Sequence, residues 1–313
     1  FSMAAEINDT LQKIPVINQI AKWTNQLKLP GLDGFTLYDL LSLYSIGILK
    51  GTFSSRAGAT AYSLFMAKFP FLLFILNLIP FVWFIDNFQQ ELLNYLEELL
   101  PPQTSGLFQD IFYDIANNPR AGLLSVVFIL SVFLMSNGVN AIFTGFEFSY
   151  HTKINRTIIR QYIVAVGIAI IIAFLLLIAV IATIYFTVII EQFKTLGVVG
   201  DSLILAKYGR YAILVAVLVL GISILYYFGT KEGRKTRFFS IGSFFTAILI
   251  ILTTYLFSIY VENFSAYNKL YGSIGALLIL MLYIWLNSNI LLLGFELNGT
   301  LYNLKQKSKS LDA

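Results

Sequence analysis

The chain has 313 residues, of which 58% are hydrophobic and only 12% charged, with a mean hydropathy of +0.77. That composition excludes an ordinary water-soluble domain, and the lack of cysteine excludes a disulfide framework, a thiolate metal site and a cysteine nucleophile. The formal net charge of +4 is no nucleic-acid signature, because the bases gather at the borders of apolar runs, where anionic lipid headgroups account for them.

Residues 1–34 mix polar and apolar side chains up to Pro30-Gly31 and read as a cytoplasmic N-terminal segment with one short helix. In residues 35–55, Thr36 has the character of an N-cap with Asp39 three positions on. Leu37, Leu40, Leu41, Tyr44, Ile48 and Leu49 follow at helical spacing. This segment is too short and too polar to span a bilayer. It is expected to lie in the interface as an amphipathic helix or to pack on the end of a bundle. Six long apolar runs come next: Ala57–Ile85, Leu123–Phe148, Ile158–Ile190, Tyr211–Phe228, Phe238–Tyr260 and Gly272–Leu297. A hydrocarbon core about 30 Å thick takes roughly 20 apolar residues in a helix. Lipid offers no partner for an open backbone, so such runs must be helical. The expected fold class is therefore all-α: a polytopic membrane protein with six transmembrane helices over residues 56–300. The first run begins too far into the sequence for a cleavable signal peptide.

Other segments carry their own expectations. In the first run, Pro70 removes an intrahelical hydrogen bond and should bend the helix just beyond Lys68. The loop at about 86–120 is acidic, with Asp86, Glu91, Glu97, Glu98, Asp110 and Asp114 against Arg120. Its two apolar stripes, through Phe88 and Leu99 and through Leu107 and Ile115, predict two short helices capping the outer face. The third run would extend about 50 Å as a straight helix and must tilt, bend or project. Residues 301–313 read as a basic cytoplasmic tail.

Orientation follows from the bases. They crowd into the N-terminal segment, the gap with Lys153, Arg156 and Arg160, the gap with Lys231, Arg234, Lys235 and Arg237, and the tail with Lys305, Lys307 and Lys309. The positive-inside rule then places both termini in the cytoplasm and three loops outside. Lys153, Arg156, Arg160, Arg234, Lys235 and Arg237 would form a surface for lipid headgroups. A bacterial inner (plasma) membrane is the expected location.

Polar groups inside the spans are costly and mark candidate sites. Lys68 lies near mid-membrane in the first span. Asn137, Asn140, Thr144 and Glu147 share one face of the second, and Asn289 and Glu296, seven apart, share one face of the sixth. With Arg56, these groups would line a polar cavity in the inner half of the membrane if spans one, two and six are neighbours. The candidate substrate-binding set is Arg56, Lys68, Asn137, Asn140, Glu147, Asn289 and Glu296. A plainer reading makes the asparagines interhelical hydrogen-bonding groups and holds Lys68 by a carboxylate or by carbonyls freed at Pro70. His151 is the single histidine, and there is no G-x-S-x-G, Walker A or Rossmann pattern. No catalytic residue, metal or cofactor is expected, and the chain is not read as an enzyme.

Two stretches carry a resemblance. RAGATAYSLFMAKFP (residues 56–70) runs from a small-residue helix start into Tyr62, Lys68 and Pro70. YGSIGALLILMLYIWLNSNILLLGFELN (residues 271–298) begins Tyr-Gly-Ser and ends Leu-Leu-Gly-x-Glu-Leu-Asn. Both resemble the YihY/BrkB family of bacterial inner-membrane proteins, over about residues 36–300. Phe295 departs from the family's usual alanine and leaves Glu296 in register. The resemblance implies a six-helix inner-membrane fold, links to envelope integrity and virulence, and links to lipid movement. An old family label, ribonuclease BN, finds no support in these residues. Three functions remain open. One is a transporter or flippase for an anionic amphiphile such as a phospholipid or lipid A precursor. The second is an ion or small-anion pathway, and the third a non-transporting envelope scaffold. The partners expected are membrane lipids and no nucleic acid; a homodimer and envelope partner proteins are compatible with the sequence.

Overall fold

The structure, a computed structural model, describes residues 24–28, 36–42, 53–78, 90, 92, 94, 124–148, 157–196, 202–231, 233–263 and 273–311. Six long helices stand among the described residues: α1 (Phe53–Leu78), α2 (Leu124–Glu147), α3 (Ile158–Thr195), α4 (Ser202–Gly229), α5 (Ile241–Asn263) and α6 (Ser273–Leu311). Each grows from one of the apolar runs. Five stretches, in α2 to α6, are long and apolar enough to cross a membrane: Ile129–Glu147, Ile158–Ile190, Lys207–Gly229, Ile241–Val261 and Leu277–Lys309. α1 carries Arg56 and Lys68 within its 26 residues and continues through Pro70 to Leu78. α3 runs unbroken for 38 residues, about 57 Å at the helical rise. α6 passes the end of its apolar run and carries the basic segment as further helical turns to Leu311.

The helices pack in chain order, each on the next, and α6 closes the ring against α1. Small residues set the closest approach. A Cβ on Gly138 of α2 would lie 2.7 Å from Ala67 Cβ of α1, so only glycine lets these two helices touch. The core between the helices holds Phe74 and Ile75 of α1, Phe143 and Phe146 of α2, Leu280 and Leu292 of α6, and the alanines Ala165, Ala169 and Ala173 of α3. The outer surface is the reverse of a soluble protein's. Ile163, Ile171, Phe174 and Ile178 on α3 are exposed, as are Phe244, Ile248, Leu252 and Tyr255 on α5. Stripes this long and apolar would be uncovered in water and are covered by acyl chains in a bilayer. The chain is a multi-pass membrane protein.

Ahead of α1, Thr36 and Asp39 form the expected capping box. Thr36 N–H donates to Asp39 Oδ2 at 2.8 Å and Asp39 N–H to Thr36 Oγ1 at 3.4 Å, opening the helical residues 37–42. The remainder of the proposed interfacial helix at 35–55 lies outside the described residues. So does the two-helix cap at 86–120, apart from Gln90, Leu92 and Asn94, of which Leu92 is fully buried in the main core.

Candidate functional site

Arg56 begins the second turn of α1 and points into the bundle. Its Nη2 lies 3.0 Å from Glu296 Oε1 of α6, and its Nη1 donates to the carbonyl of Gly145 of α2 at 2.8 Å. Both charged side chains are removed from solvent, with Arg56 7% exposed and Glu296 0%. A buried ion pair offsets its desolvation cost only when further hydrogen bonds complete it, and the Gly145 carbonyl supplies one. Arg56 thus joins three helices, and α1, α2 and α6 are neighbours at this level. In this conformation its charge is committed to Glu296.

The residues around Glu296 hold the other side of α6. At Gly294 a Cβ would collide with Thr246 Oγ1 of α5 and crowd the Tyr226 hydroxyl of α4. Tyr226 OH donates to the Leu291 carbonyl at 2.7 Å, which leaves it to accept from Thr246 Oγ1 at 2.6 Å. Asn298 Oδ1 accepts from Gly242 N–H at 2.8 Å, and its Nδ2 donates to Ser240 Oγ at 2.8 Å. Ser240 is the N-cap of α5, accepting from Ser243 N–H at 3.2 Å, so α6 completes the capping of its neighbour. Phe295 stacks on Phe146 with centroids 4.2 Å apart and meets Tyr226 edge-on, filling the interior beside the ion pair. The segment Gly294–Asn298 therefore binds α6 to α1, α2, α4 and α5 at one end of the bundle, hereafter the Arg56 end.

Lys68 occupies a different environment. It lies on the α1 stripe Ala57, Ala61, Leu64, Lys68, Leu72 and Ile75, which faces the core. Ala57, Ala61 and Ile75 are 0% exposed and Leu72 4%, whereas Lys68 is only half-buried. Leu64, one turn before it on the stripe, is half-buried as well.

The other expected residues lie on α2 and α6. Asn137 is exposed, with its Oδ1 3.2 Å from Tyr162 OH of α3, and that hydroxyl donates to the Phe133 carbonyl at 2.8 Å. Thr144 accepts from Gln161 Nε2 of α3 at 3.1 Å and donates to the carbonyl of Asn140, itself half-buried. This face of α2 meets α3 at both ends. Asn289 donates to the Trp285 carbonyl of its own helix at 2.7 Å, and Asn287 likewise to Tyr283 at 2.9 Å. Glu147 is buried at the last residue of α2. Asn289 and Glu296 share a stripe, but Asn289 stands where that stripe is still partly exposed and Glu296 where α1 covers it.

The basic residues at the Arg56 end stay outside. Arg160 at the start of α3 and Arg234, Lys235 and Arg237 between α4 and α5 are exposed. Thr230 Oγ1 accepts from Gly233 N–H at 2.9 Å and Thr236 Oγ1 donates to the Gly233 carbonyl at 2.7 Å, which fixes this turn. Arg234 lies over the Phe228 ring at 5.6 Å, beside the chain of ring contacts Tyr227, Phe238 and Phe239. Cations beside aromatic rings suit the headgroup level of a bilayer. Lys153 and Arg156 lie outside the described residues. Among the described residues no group of three or more His, Cys, Asp or Glu could hold a metal ion.

Sequence reasoning passed over Tyr226, Thr246 and Gln161. Tyr226 stands beside Tyr227 and Phe228 at the end of an apolar run, and nothing in its neighbours signals an inward hydroxyl. Asn298 was legible as the last residue of the Leu-Leu-Gly-x-Glu-Leu-Asn segment, though its capping role needed a partner from another helix.

Comparison with known proteins agrees with this architecture. The family described as "Virulence factor BrkB" matches residues 47–313. A "Putative ribonuclease-like protein YfkH" of Bacillus subtilis (strain 168) is 29% identical over 254 residues, covering 80% of this chain and 91% of that protein. A UPF0761 membrane protein of Psychrobacter sp. (strain PRwf-1) is 24% identical over 281 residues, 88% of this chain; the chain spans half of that relative's length. Another, from Kangiella koreensis, is 37% identical over 106 residues, a third of this chain and a quarter of that protein. No solved structure matches. The chain belongs to the BrkB family of membrane proteins.

Proposed function

We propose that this protein moves an anionic amphiphile, such as a phospholipid or a lipid A precursor, between the leaflets of a bacterial inner membrane. In this reading α1 is the sixth span and the Arg56 end faces the cytoplasm. The single observation that carries the reading is Lys68: a cation on a core-facing stripe, half-buried where Ala57, Ala61 and Ile75 of the same stripe are 0% exposed. A charge at this depth is costly and marks a candidate functional group. Arg160, Arg234, Lys235 and Arg237 would concentrate anionic headgroups at the cytoplasmic leaflet. The Arg56–Glu296 pair, with Phe146, Phe295 and Tyr226 packed around it, would close the bundle beneath Lys68.

One observation favours a second reading. The buried ion pair at the Arg56 end would equally suit a non-transporting scaffold. Proteoliposomes separate the readings when lipid translocation and anion flux are measured in parallel. Lipid movement that is lost in Lys68→Ala, without anion flux, is expected. Anion flux alone would favour a small-anion pathway, and neither flux would favour the scaffold.

A further inference from the structure

We infer that the turn between α4 and α5 holds a resident phospholipid with a two-phosphate headgroup, its acyl chains lying along the outer face of α5. This lipid stays with the protein and is not the one proposed to cross the membrane, so the site stands whether the chain transports or acts as a scaffold. Residues 231–237 carry Lys231, Arg234, Lys235 and Arg237 against Glu232, four bases to one acid. Arg234, Lys235 and Arg237 are exposed. The turn beneath them is firmly built. Gly233 is buried where a Cβ would strike the Tyr226 carbonyl of α4. Its N–H donates to Thr230 Oγ1, and its carbonyl accepts from Thr236 Oγ1 and from Thr236 N–H. On the far side Ser240, the N-cap of α5, is held by Asn298 of α6. The three cations are therefore displayed on a fixed support.

Their directions differ. Arg234 and Lys235 are consecutive in a 3-10 turn, Gly233–Lys235, where successive side chains diverge by about 120°. Arg237 follows beyond Thr236. One phosphate cannot gather all three charges, whereas two phosphates on a short bridge reach two sides of the turn at once. The apolar half of the site is continuous with the charged half. The rings Tyr227, Phe238, Phe239 and Phe244 run from the end of α4 onto α5, with successive centroids 5.6, 5.0 and 6.4 Å apart. Ile241, Phe244, Ile248, Ile251 and Tyr255 are exposed on one stripe of α5. From Ile241 to Ile251 this stripe covers about 15 Å, the hydrocarbon depth of one leaflet. Phosphates on the turn and acyl chains on the stripe belong to a single lipid molecule. A soluble bisphosphate has no apolar part for the stripe, and a zwitterionic lipid has no net charge for the turn.

Cardiolipin and phosphatidylglycerol, both with oleoyl chains, are the probes. The full chain in detergent is titrated with each lipid at constant ionic strength, and bound lipid is read by native mass spectrometry. Cardiolipin should bind with about fivefold stronger apparent affinity, the gain expected from one further phosphate–cation contact near the surface. Arg234→Gln, Lys235→Gln and Arg237→Gln combined should remove that excess. Arg160→Gln, at the exposed start of α3, and Lys68→Gln should both keep it. The charge-preserving pair Arg234→Lys with Arg237→Lys should retain most of it, which separates loss of the site from loss of the fold. Glycerol bisphosphate should not displace bound cardiolipin. Equal affinity for the two lipids, an excess that survives the triple variant, an excess lost in the charge-preserving pair or in Arg160→Gln or Lys68→Gln, or displacement by the soluble bisphosphate would each overturn the site.

Discussion

Arg56 and Lys68 both lie on α1 yet differ in burial. Arg56 is fixed by a carboxylate and a carbonyl from two other helices, while Lys68 keeps accessible surface. Removing one member of a buried pair strands the other's charge. Arg56→Leu or Glu296→Leu should therefore each cost about 3–5 kcal/mol, whereas the double variant should recover most of that loss. Thermal unfolding in detergent, scored across the four proteins of the cycle, checks this; single variants as stable as wild type would contradict it. Lys68→Gln keeps a polar side chain on a half-buried position, so it should lower the melting temperature by less than either single variant of the ion pair. The charged residues were legible in the sequence because a bilayer makes every charge conspicuous. Their pairing was not, because a helix stripe gives depth and direction on one helix and says nothing about which neighbour arrives there. Asn137 shows the same limit: its spacing to Asn140 and Thr144 is helical, but the helix it faces is α3.

At the scale of elements, helix identity was readable and helix contacts only partly so. The six apolar runs return as α1 to α6, and residues 79–85 of the first run lie outside the described residues. Length and apolarity alone determine such helices when the backbone has no other partner. The basic tail is helical to Leu311, which apolar pattern alone cannot register, and Leu304, fully buried, shows that α6 still packs there. The α5–α6 contact makes two predictions. Gly294→Val would drive a side chain into Thr246 and Tyr226; overpacking of this kind typically costs about 1–3 kcal/mol. Asn298→Ala would remove the Gly242 cap and the Ser240 bond, with a loss of about 1–2 kcal/mol expected. Hydrogen exchange at the first turn of α5 should accelerate in Asn298→Ala and stay unchanged at the start of α3; uniform exchange across both helices would count against a local cap.

The described helices form a ring with a buried ion pair and a basic, aromatic rim at the Arg56 end. The rim makes a prediction independent of the interior. Replacing Arg234, Lys235 and Arg237 together by Gln should weaken association with anionic lipid by about 1 kcal/mol per charge near the surface, and the deficit should shrink at high salt. Lipid retention measured in nanodiscs of graded phosphatidylglycerol content reads this directly, and a salt-independent deficit would point to damaged folding instead. The most direct test of the central claim is the rate at which fluorescent phosphatidylglycerol crosses proteoliposome membranes, compared between wild type, Lys68→Arg and Lys68→Gln. The account predicts that wild type and Lys68→Arg move the lipid, while Lys68→Gln slows it by about tenfold or more, since loss of a single buried charge contact is worth at least that factor. Equal rates for Lys68→Gln and wild type would contradict it.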